Sequence, residues 1–390
     1  MRVLLASREY PPDSGWGGVG SYTHALARAL AADGCDVHVV SCNEGHESVE
    51  LRGGVTVHRV PPLTKRWLDW RLGSVFPQTA DRLLLARRIA ETVRRLRPDV
   101  VEAADWMAEG LLAGIIPNVP LVIHLHSPLD LVSSHRRAVP TRDTRLAGLV
   151  ERLAARRADA LTAADPEVLR WPDGRMWTTR PLTRIPPPLA QDLVGPAGRR
   201  KDRTDPVVAM VGRLDELKAP EVLLEALKLL KEEVPGLRAV LAGSAHSGEA
   251  PGGGDYAKWI EQRAARYELD VELTGPLKRR EVLDLYRTSR VVAVPSRYES
   301  FSMTALEAMA CATPVVVSSS CGIASWLRLL GPGWVVASGD AKALASAMEP
   351  LLTDDALARS AGVAGAALAM KEFAPAAIAR ARTDLYGSLV

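Results

Sequence analysis

The stretch that decides the fold is VPSRYESFSMTALEAMA, residues 294–310. It starts at the end of an apolar, strand-like run and passes into a helix predicted over 302–310. Glu299 follows the strand, and Glu307 stands eight residues later inside the helix; if both lay on the helix, they would share a face. Ionised carboxylates there suit a ligand rich in hydroxyl groups. The alternative is an acidic helix N-terminus that the helix dipole favours.

Short apolar runs alternate with longer amphipathic ones on both sides of this stretch. Alternation of this kind predicts parallel sheets covered by helices, so we expect an α/β protein of two tandem Rossmann-like domains. Ligands bind such domains at the carboxyl ends of the strands. The predicted strands are 3–7, 36–41, 55–60, 100–103, 121–126, 207–212, 237–243, 271–274, 291–295 and 314–318. The predicted helices are 22–33, 81–96, 219–234, 256–267, 279–288 and 302–310.

A change in composition separates the two halves. The proline-rich patch 181–188 and the polar run 195–206 together are typical of an interdomain linker. We therefore predict domains at 1–190 and 204–374. Glycines make the segment 244–255 a mobile loop by composition, and alanine-rich helices close the chain from 341 onwards.

Composition excludes several classes of function. The chain has 390 residues with 49 basic and 46 acidic side chains, a net charge of +3, which is far from the imbalance of a nucleic-acid-binding protein. Four cysteines without a CxxC spacing argue against a zinc site or a disulfide scaffold and favour a reducing compartment. The first apolar run is too short for a signal peptide, and no run of eighteen apolar residues occurs. We expect a cytoplasmic protein.

A glycine-rich loop follows the first strand, over residues 11–20. Glycines at a strand-to-helix turn let backbone N–H groups approach an anion, and the helix N-terminus adds positive potential. The pattern is not GxGxxG, so a dinucleotide-dependent dehydrogenase fits poorly. An ordinary glycine loop is the alternative.

Two histidines, His124 and His126, lie at the end of the predicted strand 121–126. Alternation places them on one side of that strand, with His126 nearer its carboxyl end. A histidine in an apolar strand is usually a core residue, but a carboxyl strand end in an α/β fold favours function. Two histidines at this spacing could also bind a metal ion, but no third ligand is evident. His124 is predicted to be structural.

Arg213 and Lys218 flank a short loop after the first strand of the second half. Both could converge on a diphosphate, arginine through its planar fork and lysine as a point charge. Basic residues in a loop are usually solvated, so this pattern is weak when it is considered alone.

The stretch 299–317, with the two glutamates, "LEAMA" and "PVVV", resembles the E-x7-E signature of retaining glycosyltransferases of family 4. The other motifs match in the same order and cover nearly the whole chain. The resemblance implies the GT-B arrangement, in which two Rossmann-like domains face each other across a cleft. It also implies that the last helix, about 375–390, crosses back to the first, acceptor-binding domain, while the second domain binds the nucleotide sugar.

The resemblance also implies roles for individual residues. Arg213 and Lys218 would hold the donor diphosphate and offset the charge that develops as it leaves. Glu307 would accept hydrogen bonds from ribose hydroxyls, and Glu299 would contact hydroxyls of the transferred sugar. His126 matches the histidine that meets this sugar near the reacting carbon.

The glycine loop and the segment after Glu299 complete the implied site. Gly17 and Gly18 match a Gly-Gly loop that touches donor phosphate and acceptor. Backbone N–H groups of three residues would meet the donor: Ser300, Phe301 and Ser302. Serines replace the usual small glycines here, and 321–326 lacks the usual downstream acid, so the sequence departs from the family around the donor sugar.

The resemblance implies a retaining enzyme of the hexosyltransferase type, for which we expect no cofactor. No Asp-x-Asp occurs in the chain, so we also expect it to be independent of a metal ion. The donor would be a nucleotide-diphosphate sugar, and the acceptor a hydroxyl of a small polar molecule or glycan in bacterial natural-product or glycoconjugate biosynthesis. The alternatives are a nucleotide-sugar-binding protein that has lost catalysis, and a phosphorylase or pseudo-glycosyl coupling enzyme on the same fold.

Arginines cluster on two predicted helices, at 87–97 and at 152–157. Some members of the resembled family dock on anionic membranes through such faces. We expect a core to cover the interrupted apolar faces of these helices, and we favour a solvated surface over membrane docking.

Overall fold

The protein is described by a computed structural model that covers residues 1–12, 17–42, 46–61, 75–194, 205–245, 250–251 and 253–390. The chain divides into two units. Unit 1 is Met1–Gln191 with Phe373–Val390, and unit 2 is Asp192–Glu372. Residue 204, where the predicted second domain begins, lies outside the described residues, as do residues 246–249 and 252 of the predicted mobile loop. The assignment of acceptor and donor to the two domains stays a prediction.

Unit 1 is built on one sheet of eight strands in the order β3-β4-β2-β1-β5-β6-β7-β8. All pairs are parallel except β3 with β4. The strands are β1 (Arg2–Ala6), β2 (Asp36–Cys42), β3 (Ser48–Arg52), β4 (Val55–Val60), β5 (Val100–Ala104), β6 (Leu121–Leu125), β7 (Ala160–Ala163) and β8 (Thr183–Arg184). The helices are α1 (Gly18–Ala32), α2 (Pro77–Leu96), α3 (Leu129–Ser134), α4 (Arg142–Arg157) and, from the end of the chain, α12 (Pro375–Gly387).

Unit 2 has a wholly parallel sheet of six strands in the order β11-β10-β9-β12-β13-β14. Its strands are β9 (Val207–Val211), β10 (Arg238–Ala242), β11 (Asp270–Gly275), β12 (Val291–Val294), β13 (Val315–Ser318) and β14 (Val335–Val336). Its helices are α5 (Pro220–Leu230), α6 (Tyr256–Tyr267), α7 (Arg279–Thr288), α8 (Met303–Ala310), α9 (Ala324–Leu327), α10 (Ala341–Thr353) and α11 (Asp355–Glu372). The predicted α/β class with parallel sheets is confirmed.

The proline-rich patch 181–188 is not the linker that its composition predicts. Thr183–Arg184 forms strand β8 at the edge of the first sheet. Ile185 and Leu189 after it are buried, and the Leu189 amide donates to the Phe373 carbonyl oxygen at 2.8 Å. Proline is tolerated beside an edge strand because no ladder hydrogen bond is lost there. The polar half of the predicted linker, residues 195–204, lies outside the described residues.

The two arginine-rich helices bury different amounts of apolar surface. Ile89 and Val93 of α2 are fully covered, as expected. The expectation is wrong for α4, where Leu149 is 57% and Leu153 41% exposed. Buried alanines and Glu151 occupy the inner face of α4 instead. The preference for a solvated surface over membrane docking stays a prediction.

One segment, Asp355–Gly387, reaches the length and mean hydropathy, 1.2, of a membrane span, with 33% of its window buried. Helices α11 and α12 share this segment but belong to different units. Arg382 in α12 is fully buried against Glu102. The segment therefore resembles core helices of a globular fold, and the cytoplasmic location stays a prediction.

Helix α8 begins at Met303, so only Glu307 of the two signature glutamates lies on it. Ser302 caps this helix with φ 109° and ψ 88°, a region that L residues rarely adopt. Its Oγ accepts a hydrogen bond from the Ala305 amide at 3.3 Å, and the residue is 3% exposed. The hydroxyl therefore caps the N-terminus of α8, while the backbone of Ser302 is strained.

We expect Ser302→Gly to stabilise the protein, because relief of the strained backbone is worth about 1 kcal/mol or more, while glycine costs only a few tenths as a cap. Differential scanning calorimetry should show the unfolding of unit 2 shifted upwards by about 2–4 °C. Ser302→Ala is the matched control: it keeps the strain and loses the cap, so its transition should move downwards. A lower transition for Ser302→Gly would contradict the strain.

Candidate active site

Two glycines bring the loops after β9 and β10 into contact. Gly212 and Gly243 have φ values of 143° and 148°. A Cβ added at Gly243 would lie 1.8 Å from the Gly212 carbonyl oxygen. Because this backbone contact admits no side chain, the loop from Gly212 to Lys218 has a fixed path at the carboxyl edge of the sheet.

Asp215 organises the loop that follows Gly212. It is fully buried, and its Oδ1 accepts a hydrogen bond from the Lys218 amide at 3.1 Å. Its Oδ2 lies 3.3 Å from Nη2 of Arg213, whose side chain is 51% exposed. The buried carboxylate thus anchors one end of the arginine and leaves half of that side chain in solvent. Ala219 has the left-handed conformation and is the N-cap residue of α5, which begins at Pro220.

Lys218 and Glu299 form an ion pair at the carboxyl edge of this sheet. The Lys218 Nζ lies 2.5 Å from Glu299 Oε1, which also accepts a hydrogen bond from the Ser296 hydroxyl at 3.0 Å. The two side chains are 23% and 12% exposed. The structure therefore brings together one residue predicted to bind the diphosphate and one predicted to bind the sugar.

Glu307 lies on the buried side of α8 and has a different cationic partner. Arg279, the first residue of α7, donates from Nη1 to Glu307 Oε1. The same guanidinium donates from Nε and Nη2 to the two oxygens of Asp192, each at 3.1 Å. Burial raises the pKa of Glu307, and the nearby Arg279 charge partly opposes that rise. Arg279 therefore supports the ionised form of the carboxylate predicted to bind ribose.

The segment after Glu299 is held by the chain that follows β13. The Gly322 amide donates to the Glu299 carbonyl oxygen at 3.0 Å, and the Ile323 amide donates to that of Phe301 at 2.9 Å. A Cβ at Gly322 would lie 2.1 Å from the Ser300 carbonyl oxygen. The segment that lacks the family acid thus fixes the backbone predicted to meet the donor.

In unit 1, Gly17 and Gly18 begin α1 and differ in their surroundings. A Cβ at Gly17 would lie 2.3 Å from Oε2 of Glu9, the end of a flexible side chain that can move aside. At Gly18 no described atom lies within 4 Å of such a Cβ. Residues 13–16 of the predicted anion-binding loop lie outside the described residues.

His126 follows β6 and is 9% exposed. Its ring lies edge-on to the rings of Tyr22 and His124, with centroid distances of 4.6 and 4.5 Å. Burial, together with the nearby Arg382 charge, lowers the pKa of His126 to about 3. The imidazole is therefore neutral at physiological pH and can donate or accept one hydrogen bond, but it is no cationic group.

Asp105 supports the backbone of this histidine and was not predicted. It is fully buried, and its carboxylate accepts hydrogen bonds from the amides of His126 at 2.6 Å and Ser127 at 3.2 Å. Burial raises the pKa of Asp105 to about 7, and Glu151 adds to the effect. Its place two residues after the predicted strand 100–103, at a carboxyl strand end, was the signal that could have identified it.

Arg279 and Asp192 were also missed. Arg279 follows Lys278 at the start of a predicted helix, where the dipole disfavours basic residues, and that conflict was a usable signal. Asp192 carries no such signal. Among the described residues no group of three or more histidine, cysteine or acidic side chains could hold a metal ion. Metal independence stays a prediction, as do the roles of all the site residues.

Family comparisons cover both halves of the chain. The family described as "Glycosyl transferase 4-like domain" matches residues 17–187, and "Glycosyl transferases group 1" matches residues 196–367. The chain is 30% identical to the D-inositol 3-phosphate glycosyltransferase of Xylanimonas cellulosilytica, with 99% of this chain and 95% of the relative covered. It is 28% identical to glycogen synthase of Mycobacterium tuberculosis, with 99% and 94% covered.

Solved structures agree with the fold. Sucrose-phosphate synthase from Thermosynechococcus elongatus aligns with a TM-score of 0.78 and 23% identity, covering 100% of this chain and 98% of that one. Anabaena Alr3699/HepE in complex with UDP-glucose aligns with a TM-score of 0.71 and 20% identity over the whole of both chains. The chain belongs to the family 4 glycosyltransferases, the "Glycosyl transferases group 1", and has their GT-B fold.

Proposed function

We propose that this glycosyltransferase moves a sugar from a nucleotide-diphosphate sugar to a hydroxyl of a small polar or glycan acceptor, with retention of anomeric configuration and without a metal ion. The observation that carries the proposal is the Lys218–Glu299 pair beside the anchored Arg213. The two cations at this carboxyl edge can bind the diphosphate, and the carboxylate next to them can accept hydrogen bonds from the sugar hydroxyls.

The ion pair suits an exchange of partners. Lys218 and Glu299 lie 2.5 Å apart and pair with each other, and part of each side chain is exposed. A bound diphosphate would compete for the ammonium group, and the sugar hydroxyls would then donate to the released carboxylate. Charge-assisted hydrogen bonds of this kind are stronger than those between neutral groups, which favours the exchange.

In the proposed reaction the bond between the anomeric carbon and the diphosphate oxygen breaks, and a bond to the acceptor oxygen forms on the same face. The acceptor proton passes to a phosphate oxygen of the leaving group. Arg213 and Lys218 stabilise the negative charge that grows on that group. The neutral His126 contacts the transferred sugar. The proposed reaction uses no side chain as a covalent nucleophile.

The relatives support the choice of substrates. The matched HepE structures are complexes with UDP, with UDP and glucose, and with UDP-glucose. The relatives with 28–30% identity are named as a glycogen synthase and D-inositol 3-phosphate glycosyltransferases. From these names we propose that the donor of this enzyme is a nucleotide sugar and that its acceptor is polyhydroxylated.

We expect Lys218→Ala to lower kcat by about 10²–10³-fold, the loss typical for one group that stabilises developing charge. Lys218→Gln should lose as much, since it keeps a hydrogen-bond donor but no charge. Initial rates of transfer measure the effect, and circular dichroism checks the fold. Lys231→Ala is the matched control, because its ammonium pairs with the exposed Glu268 on the surface. A Lys218→Ala enzyme with the rate of the parent would refute the diphosphate assignment.

We expect Glu307→Ala to weaken nucleotide binding, and Arg279→Met to make binding depend on pH. Without Arg279 the already raised pKa of Glu307 rises further, so protonation of the carboxyl sets in at a higher pH than in the parent. The Kd of the variant should therefore grow towards low pH more steeply than that of the parent. Titration calorimetry measures this. The control is Arg280→Met, whose side chain is 94% exposed. A pH profile of Arg279→Met that parallels the parent would exclude the coupling.

We expect one of UDP, GDP, ADP and TDP to bind in calorimetry with an unchanged Kd in EDTA, because the proposed diphosphate site consists of Arg213 and Lys218. Transfer from the corresponding nucleotide sugar should also persist in EDTA. Loss of binding in EDTA would contradict metal independence. A protein that binds a nucleotide yet turns over no donor would instead be the binding protein that has lost catalysis.

A further inference from the structure

We infer that Arg382, on the last helix of the chain, is a positioning residue for the reaction: its guanidinium holds His124 in one tautomer and orientation, and His124 in turn holds His126. The inference rests on the proposed function, because it needs His126 to contact the transferred sugar. Nothing in the sequence pattern indicates a role for Arg382. It lies in an alanine-rich helix, 258 residues after His124.

Arg382 is fully buried and reaches polar groups on three neighbouring strands. Its Nη1 donates to Glu102 Oε2 on β5 at 2.9 Å and to Thr162 Oγ1 on β7 at 2.8 Å. Its Nη2 lies 3.0 Å from Nδ1 of His124, on β6 between them. The register brings these side chains to one face, because His124 pairs with Ala104 on one side and with Thr162 on the other.

These contacts determine the tautomer of His124. A guanidinium only donates, so Nδ1 of His124 must accept, and the proton of a neutral ring must sit on Nε2. Thr162 agrees with this assignment. Its Oγ1 accepts from Arg382 and lies 2.8 Å from Nδ1, so its proton can share the one lone pair of Nδ1 with the guanidinium in a three-centre hydrogen bond. Burial also lowers the pKa of His124 well below its usual value, which keeps the ring neutral.

The orientation of His124 passes to His126 through ring contacts. The Tyr22 ring stacks parallel on His124 with centroids 4.6 Å apart, and both rings meet the edge of His126 at 4.5–4.6 Å. Tyr22 is fixed in turn because its hydroxyl donates to Glu102 Oε1 at 2.6 Å. Rotation of His124 would therefore open space beneath the one ring of unit 1 that is predicted to meet the sugar.

The planar fork of arginine is essential to this arrangement. Glu102 and His124 are contacted by different guanidinium nitrogens, and a single ammonium group has no second arm. Arg382→Lys would keep the charge opposite Glu102 and lose one contact. A purely electrostatic or structural role would accept lysine, whereas a positioning role would not.

The first test is the tautomer of His124 in the full-length protein, measured by NMR of ¹⁵N-histidine. The chain has eight histidines, and His124→Gln identifies the signals. In the parent we expect Nε2 to be protonated and Nδ1 to accept. In Arg382→Lys and in Arg382→Met paired with Glu102→Gln, we expect a mixture of tautomers. The paired change removes both buried charges, so that neither is left without a partner. Arg380→Met, an exposed arginine on the same helix, is the control and should leave the signals unmoved.

The second test is kinetic. Both Arg382 variants should lose on the order of tenfold to a hundredfold in kcat, the range that small misplacements of a reacting geometry produce. The Kd for the free nucleotide should stay within twofold, because the residues proposed to bind it are in unit 2. Thermal unfolding should place Arg382→Lys or the paired variant within a few degrees of the parent.

Three results would overturn the inference: a protonated Nδ1 in the parent, an unchanged tautomer in both variants, or parental kcat in a folded variant with disturbed histidine signals. The proposed function fails separately. If the parent transfers no sugar, or if His126→Ala keeps full kcat, the substrate role of His126 is wrong. The tautomer measurement then still decides whether Arg382 positions His124.

Discussion

The buried ion pair between Arg382 and Glu102 ties the last helix of unit 1 to its sheet. Both side chains are buried, and burying a charge costs several kcal/mol unless its hydrogen bonds are satisfied. Glu102 accepts hydrogen bonds from the hydroxyls of Tyr22 and Tyr386 as well as from the guanidinium. The first helix, three central strands and the last helix must therefore be in place together before either charge is satisfied.

In unit 2, the charged side chains that are predicted to meet the diphosphate and the sugar are less buried. Lys218 and Glu299 keep part of their surface in solvent, and Arg213 keeps half of its side chain there. Pairs at such positions contribute about 0–1 kcal/mol to stability, so exchanging a partner for a ligand costs little. Asp215 is fully buried and fixes the loop rather than the ligand, and Glu307 and Arg290 of the same unit are buried as well. The unit thus combines a rigid backbone with exchangeable side chains.

The sequence predicted what is local. Strand and helix periods indicated the α/β class, and the motifs placed Lys218 and Glu299 each after the carboxyl end of a predicted strand. It could not predict partners that only the fold brings together, such as Arg279 with Glu307 or Arg382 with His124. Short strands were missed for a related reason. Thr183–Arg184 is a strand only because β7 lies beside it, and its prolines indicated a linker. A core was expected to cover the apolar face of α4, but alanines and a buried glutamate occupy its inner face instead.

The departures from the family pattern around the donor site form one structural change rather than several. The amides of Gly322 and Ile323 bond the carbonyl oxygens of Glu299 and Phe301, so the segment without the family acid supports the segment that contains the serines. The rings of Phe301 and Trp326 pack edge to face, with centroids 5.6 Å apart, across the same junction. Ser302 turns its hydroxyl to the helix it caps. Backbone hydrogen bonds couple the serine-containing segment to the segment without the family acid. The departures are therefore one observation, not several independent ones, in favour of a lost activity. The Lys218–Glu299 pair is formed beside this junction, so the local packing by itself gives no ground for assigning a lost activity.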